Sequence, residues 1–299
     1  MPIGAHVSTS GGLPSAVKRA IDLGAECVQI FLSPPQRWDS PRHTDEQVEE
    51  FARQMRAARI GPNFAHARYV INLASQDASI RGRSIDALAT CAAWAERCDL
   101  IGVVVHIGSG RSQSMDEAMR HVADGLRQVL EGGGTARILL ENSAGSGNML
   151  GARFTQIGAL LEMLGRDPRL GLCLDTAHAF ASDYDLRTDD GLAEALEDIE
   201  RHVGLERLRI VHANDSKVPL GAAVDRHENI GRGLLGDQAF QGMLSHPALA
   251  DLPWVLEVPG FDNKGPDAPN VQALKRLAGR GKLPFTGSGS HSKTSKGLH

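Results

Sequence analysis

The sequence predicts an α/β chain folded as a single (β/α)₈ barrel of the TIM type, and three observations point there. Short β-rich runs alternate with helical segments eight times along 299 residues, a length that suits one large domain. Several runs, among them IGVVVH, ARILLE and LGLCLD, are apolar almost throughout, as strands covered on both faces are. No G-x-G-x-x-G turn follows the first run, which removes the main signal of the competing doubly wound open sheet.

The strands are expected at residues 3–8, 27–32, 63–68, 103–108, 138–143, 171–176, 208–214 and 254–258. The segments between them carry helical spacing. Val48, Phe51 and Met55 follow Thr44-Asp45-Glu46-Gln47, a capping box. Cys91 and Cys98 share one face of the next helix. Ala118, Val122, Leu126 and Val129 follow a second box, from Ser114 to Glu117. Phe154, Ile157, Leu160, Leu161 and Leu164 form an apolar stripe, and Leu192, Leu196, Ile199 and Val203 repeat it after Thr188. Val271, Leu274 and Leu277 make a last helix closed by Gly279. The barrel is therefore expected to span 1–279. Residues 280–299, rich in Gly, Ser and Lys and free of acids, read as a flexible tail.

Composition narrows the function classes. At 41% hydrophobic residues the chain is not disordered, and no apolar run of 18 residues marks a membrane span. The start PIGAHVSTSGG lacks the basic and apolar regions of a secretory leader. Four cysteines without a C-x-x-C pair read as free buried thiols, which fits a cytoplasmic chain. No exposed apolar helix face asks for a partner, so a monomer is expected. With 32 basic and 36 acidic residues the net charge is −4, which excludes a generic polybasic binder of nucleic acid.

The polar residues are informative by position. Strands three to eight each end in, or run into, a metal-ligand type: His66, His106, Glu141, Asp175 with His178 after it, His212 and Glu257. Asp225 and His227 lie in the loop VDRHENIGRG after strand seven. Singly, such a His reads as a hydrogen-bonded rim group, D-x-x-H as a capped turn and D-x-H as a solvated loop. Jointly, they converge on the C-terminal mouth of a barrel, where active sites sit. Imidazole and carboxylate suit zinc and manganese. Four carboxylates crowded there would repel one another or protonate without cations. His6, ending the first strand, reads equally as ligand support, a phosphate contact or a rim hydrogen bond. His43, His121, His202, His246, His291 and His299 read as ordinary surface groups.

These segments resemble the endonuclease IV family of apurinic/apyrimidinic endonucleases. The most specific are LCLDTAHAFASDYDLRT at 172–188, HANDSK at 212–217 and VDRHENIGRG at 224–233, with ENSAGSGNMLG and LEVPG beside them. The resemblance covers essentially the whole chain except the tail. It implies three zinc ions per chain. His66 and His106 hold one with a shared Glu141. Asp175, His212 and Glu257 hold a second with that glutamate, and His178, Asp225 and His227 hold the third. No ligand is substituted.

The resemblance also implies hydrolysis of the phosphodiester 5′ to an abasic site in duplex DNA. That chemistry needs a nucleophile and charge neutralisation at phosphorus, which zinc ions supply, with Glu141 and Glu257 as the catalytic carboxylates. Asn142, Asn214, Asp215 and Lys217 are expected to orient ligands, and Lys217 or Arg226 to contact phosphate. Tyr69 and Val70 stand where the family has its tyrosine–leucine wedge. The family's wedge arginine aligns with Gln36, and Arg37 follows it, so which residue fills the gap in the base stack is open. The competing class is a metal-dependent sugar isomerase or epimerase, which needs one or two cations and not the Asp225/His227 pair. Three divalent cations would carry the formal charge from −4 to about +2, so a polyanion would be drawn to the mouth rather than to the surface at large.

Overall fold

The computed structural model describes residues 1–280; residues 281–299, which hold all but the first residue of the expected tail, lie outside the described part. In chain order the elements are β1 (Ile3–His6), α1 (Leu13–Leu23), β2 (Val28–Phe31), α2 (Asp45–Ala58), β3 (Phe64–His66), α3 (Ala78–Arg97) and β4 (Gly102–His106). They continue with α4 (Met115–Glu131), β5 (Arg137–Glu141), α5 (Phe154–Met163), β6 (Leu170–Asp175), α6 (Thr176–Ala181), α7 (Asp189–His202) and β7 (Leu208–His212). A two-residue strand pair, β8 (Asp215–Ser216) and β9 (His227–Glu228), precedes α8 (Gly236–Ser245), β10 (Trp254–Leu256) and α9 (Ala268–Leu277).

β1 to β7 pair in sequence and β10 closes the ring between β7 and β1, every pairing parallel. The expected eight strands form the barrel, each ending earlier than its apolar run suggests, because the chains diverge into loops there. The short α6 and the β8–β9 pair carry no strong periodicity and are additions that the structure supplies.

The local signals act as expected. The Thr44 hydroxyl accepts the Gln47 amide at 3.3 Å and the Gln47 side chain accepts the Thr44 amide at 3.2 Å, which starts α2. Ser114 and Glu117 make the same exchange at α4. Gly279, at φ 70°, ends the last helical segment. Arg280, the first residue of the expected tail, is bound to the body: its guanidinium reaches Glu26 at 2.7 Å and the Met1 carbonyl at 2.8 Å.

Two apolar cores result. The larger lies between the strands' outer faces and the helices, and it takes Cys91 and Cys98. The smaller fills the barrel axis with Cys27, Phe64, Val104, Leu139, Cys173, Ile210 and Val255. All four cysteines are free and buried. Among the described residues no helix is long and apolar enough to cross a membrane.

Candidate metal centre

The axial core positions the site above it. Side chains on a strand alternate between faces, so the residue two positions on points the same way. Two positions beyond Phe64, Val104, Leu139, Cys173, Ile210 and Val255 stand His66, His106, Glu141, Asp175, His212 and Glu257. The same step from Cys27 gives Gln29, and from Gly4 it gives His6. Gly4 has no room for a side chain, because a Cβ there would collide with the Cys27 carbonyl. The mouth is thus a ring of eight polar groups on an apolar plug.

Glu141, fully buried, is the hub. Its Oε2 lies 3.2 Å from His66 Nε2 and 3.5 Å from His106 Nδ1. Its Oε1 lies 3.2 Å from His212 Nδ1 and 3.4 Å from His178 Nδ1. His212 Nδ1 also stands 3.3 Å from Glu257 and 3.8 Å from Asp175. On the other side Asp225 bridges His178 Nε2 and His227 Nε2, each at 3.2 Å. Three groups of donor atoms, each drawn together within 4.8 Å, therefore share the mouth: His66, His106 and Glu141; Glu141, Asp175, His212 and Glu257; and Asp175, His178 and His227. In the last group Asp175 stands in place of the expected Asp225, its Oδ2 3.7 Å from His227 Nε2, and Asp225 lies outside the group while touching both of its histidines.

These donors fit divalent cations. Among the described residues His106 Nδ1 and His227 Nε2 are buried nitrogens without a hydrogen-bond partner, an arrangement that costs stability unless a ligand is received. The remaining ring nitrogens are fixed by the protein. His66 Nδ1–H donates to the Ala67 carbonyl at 2.6 Å, and His178 Nδ1–H to the Asn142 carbonyl at 3.0 Å. His212 Nε2–H donates to Gln29 Oε1 at 2.9 Å. Each bond leaves the opposite nitrogen's lone pair aimed at the cluster.

Electrostatics agree. Burial pushes the Glu141 carboxyl up, but the charges of His106 and His212 outweigh it and hold it well below the ordinary value. Burial pushes Asp225 up too, yet the His178 hydrogen bond and charge bring it down to about 2. Burial lowers the His178 imidazole, and the charge of Asp175 with bonds to Asp225 and Glu141 raises it well above its ordinary value. Without cations the cluster recruits protons in their place.

The D-x-x-H segment is both a capped turn and part of the site. Asp175 Oδ1 caps α6 by accepting the His178 amide at 2.8 Å, while Oδ2 accepts from Asn214 at 2.6 Å and faces the cluster. Asn142 grips the backbone of Asp175 at both its N–H and its carbonyl, and Asn214 Oδ1 accepts the Glu257 amide at 2.9 Å. Both asparagines hold candidate ligands in place. Asp215 acts one step further away. Its carboxylate accepts the backbone amides of Gly231, Gly233 and Leu235, each at 3.0 Å, and so shapes the loop behind Asp225 and His227. Lys217 orients no ligand. It is exposed and its ammonium faces Glu228 at 4.0 Å, because the β8–β9 turn carries it out to the rim. Arg226 is exposed on the same rim.

Tyr69 overhangs the pocket, its ring 5.7 Å from that of His66 and 6.0 Å from that of His106. Its amide donates to the Pro35 carbonyl at 2.9 Å, which sets the loops after β2 and β3 side by side. Gln36 and Arg37 are both exposed there, and Arg37 pairs with Asp39 at 2.9 Å. Val70, beside Tyr69, is half-buried. Two grooves flank the cluster. One of about 1040 Å³ is reached by His6, Arg19, Arg42 and Lys264. The other, about 790 Å³, is reached by Arg83, Arg111 and three site residues, His106, His178 and Asp225. Asp22, Asp39 and Asp77 are interspersed. Basic and acidic groups are thus mixed along both grooves.

A closed parallel barrel with donor clusters at its mouth defines a class, and residues 17–278 match the family of xylose isomerase-like TIM barrels. Within that class the chain is 40% identical over 288 residues to the probable endonuclease 4 of Nitratidesulfovibrio vulgaris strain DP4, covering 94% of this chain and 100% of that relative. The crystal structure of endonuclease IV from Thermus thermophilus superposes with a TM-score of 0.81 at 33% identity, over 93% of this chain and 98% of that one. The chain belongs to the endonuclease IV family. A D-tagatose 3-epimerase-like protein, at 18% identity and a TM-score of 0.66 over 93% of this chain and 97% of that one, shares the fold alone.

Proposed function

We propose that this chain hydrolyses the phosphodiester on the 5′ side of an abasic site in duplex DNA, leaving a 3′-hydroxyl and a 5′-deoxyribose phosphate. The observation that carries the reading is the convergence of all nine expected ligands on one mouth, with Glu141 common to two of the donor groups. Membership of the endonuclease IV family supports it. His66, His106 and Glu141 would hold one zinc, Asp175, His212 and Glu257 with Glu141 a second, and His178, Asp225 and His227 a third. Three such ions would supply hydroxide at neutral pH and would draw charge from the phosphoryl oxygens.

The chain's own residues do the rest. Glu141 and Glu257 carry negative charge into the ring and hold the histidines in place. Tyr69 roofs the pocket against bulk water. Arg37 is tied to Asp39 by an exposed pair worth about 0–1 kcal/mol, so its release into a base stack costs little. Val70 stands beside Tyr69 to widen the wedge, and Lys217 and Arg226 offer phosphate contacts from the rim.

The test is a duplex carrying one tetrahydrofuran abasic analogue, incubated with protein whose metal content is measured on the same sample. A lyase cannot cut this analogue, so nicking with three zincs per chain supports hydrolysis. Sugar epimerisation by protein holding one or two cations would overturn the reading.

Two substitutions sharpen it. Glu257→Gln is expected to abolish nearly all nicking while binding of the duplex persists, read by gel shift beside the cleavage assay; wild-type nicking would sink the assignment. Arg37→Ala is expected to weaken binding of abasic duplex at least about tenfold more than binding of undamaged duplex, because only the former opens a gap to fill. Equal losses in titrations of the two duplexes would argue against a wedge.

A further inference from the structure

Gln29 belongs to none of the ligand types, yet it stands in the ring of mouth residues and is fully buried. A buried amide without partners would be costly in the centre of an apolar strand, where valine or isoleucine packs without penalty. Every polar contact its side chain makes is to the mouth. Its Nε2 donates to Glu257 Oε1 at 2.6 Å and to His6 Nδ1 at 3.1 Å, and its Oε1 accepts from His212 Nε2 at 2.9 Å.

The orientation of that amide follows from its neighbours. An ionised Glu257 only accepts, so the NH₂ end of Gln29 must face it. The carbonyl end is then left to His212, which can satisfy it only with a proton on Nε2. With that proton placed, His212 presents the lone pair of Nδ1 to Glu141, Glu257 and Asp175. One amide thus sets the ring nitrogen of one donor and the carboxylate rotation of another. Both lie in the same donor group.

We infer that Gln29 is the positioning residue of the cation site formed by Glu141, Asp175, His212 and Glu257, a role that rests on the reading of the mouth as a metal centre. His6 completes the arrangement from the rim. Its Nδ1 stands 3.4 Å from Glu257 Oε1 and 3.1 Å from Gln29 Nε2.

The test uses the full chain stripped by chelation and titrated with Co²⁺, whose visible absorption reports ligand geometry, and with Zn²⁺. Gln29→Met keeps the length and bulk and removes all three hydrogen bonds. Gln29→Asn keeps an amide one methylene too short to span His212 and Glu257. In both variants one class of cation is expected to bind about 10–100-fold more weakly, with its cobalt absorption altered and the other cations unaffected. On abasic duplex, kcat is expected to fall with KM unchanged. The stripped variants are expected to keep a single cooperative melt, with a midpoint somewhat below that of the wild type because the buried His212 Nε2–H loses its acceptor. Rescue by asparagine would reduce the role to polarity and overturn the assignment.

Wild-type cobalt spectra and affinities in both variants would also overturn it and leave the nuclease reading untouched. A wild-type protein that takes up cations but leaves abasic DNA intact would remove the nuclease reading and leave this one standing. A wild type that takes up no cation would end both.

Discussion

Glu141→Gln is expected to lower nicking of an abasic duplex by about three orders of magnitude or more. The carboxylate faces four imidazoles, at 3.2 to 3.5 Å, and serves two of the three donor groups. Glutamine keeps the volume but withdraws the negative charge, and its NH₂ end would occupy the imidazole lone pairs that a cation needs. Removal of a single group that stabilises transition-state charge costs about 100- to 1000-fold, and a shared ligand should exceed that. Metal analysis of the purified variant should show fewer bound ions than the wild type. Full metal content with rates within about tenfold of wild type would mean that Glu141 is not the common ligand.

Removal of the cations is the second large effect. Stripping with a chelator should abolish cleavage, and adding zinc should restore it. It should also destabilise the fold, because a site held at a thousandfold excess over its Kd contributes about 4 kcal/mol. For a domain of this size that is a fall in Tm on the order of 10 °C. The pH dependence has a definite sign. Burial lowers His66 and His178, but Glu141 raises the first and Asp175, Asp225 and Glu141 the second. Their stabilising contribution is complete below the ordinary imidazole value of 6.5 and is lost as pH rises through the raised values. Glu141 and Asp225 are lowered, so their contribution is complete above ordinary carboxylate values of 4.5 and 3.8 and is lost as pH falls toward the lowered ones. The contributions of these four groups are therefore all present only between about pH 4.5 and 6.5. Zinc needs neutral imidazoles and displaces these protons, so the gain in Tm on adding it should be larger near pH 8 than near pH 6. A gain independent of pH would show that the histidines do not receive the ions.

Much of this was legible along the chain. Apolar runs announced strands covered on both sides, and capping boxes announced α2 and α4, because both signals are local. The ligand types were legible because so many fell at successive strand ends. Gln29 was not, since an amide is no metal ligand and a lone polar residue in VQIF suggests nothing by itself. Its signal was the two-residue step from Cys27, the same step that leads from Cys173 to Asp175. Lys217 read as an orienting group because it follows His212, Asn214 and Asp215 closely; the β8–β9 turn carries it away. Asp215 read as a direct support and instead holds a loop through backbone amides.

The sequence by itself determined the barrel class and the inventory of donors, since periodicity and side-chain chemistry are properties of short segments. Tertiary structure alone decided which donors share a group, which ring nitrogens face inward and that Gln29 joins them. Its contacts to His212 and Glu257 span 183 and 228 residues of chain. Only closure of the sheet, with β10 set between β7 and β1, and a register fixed by the packed axial core bring such distant side chains to hydrogen-bonding distance.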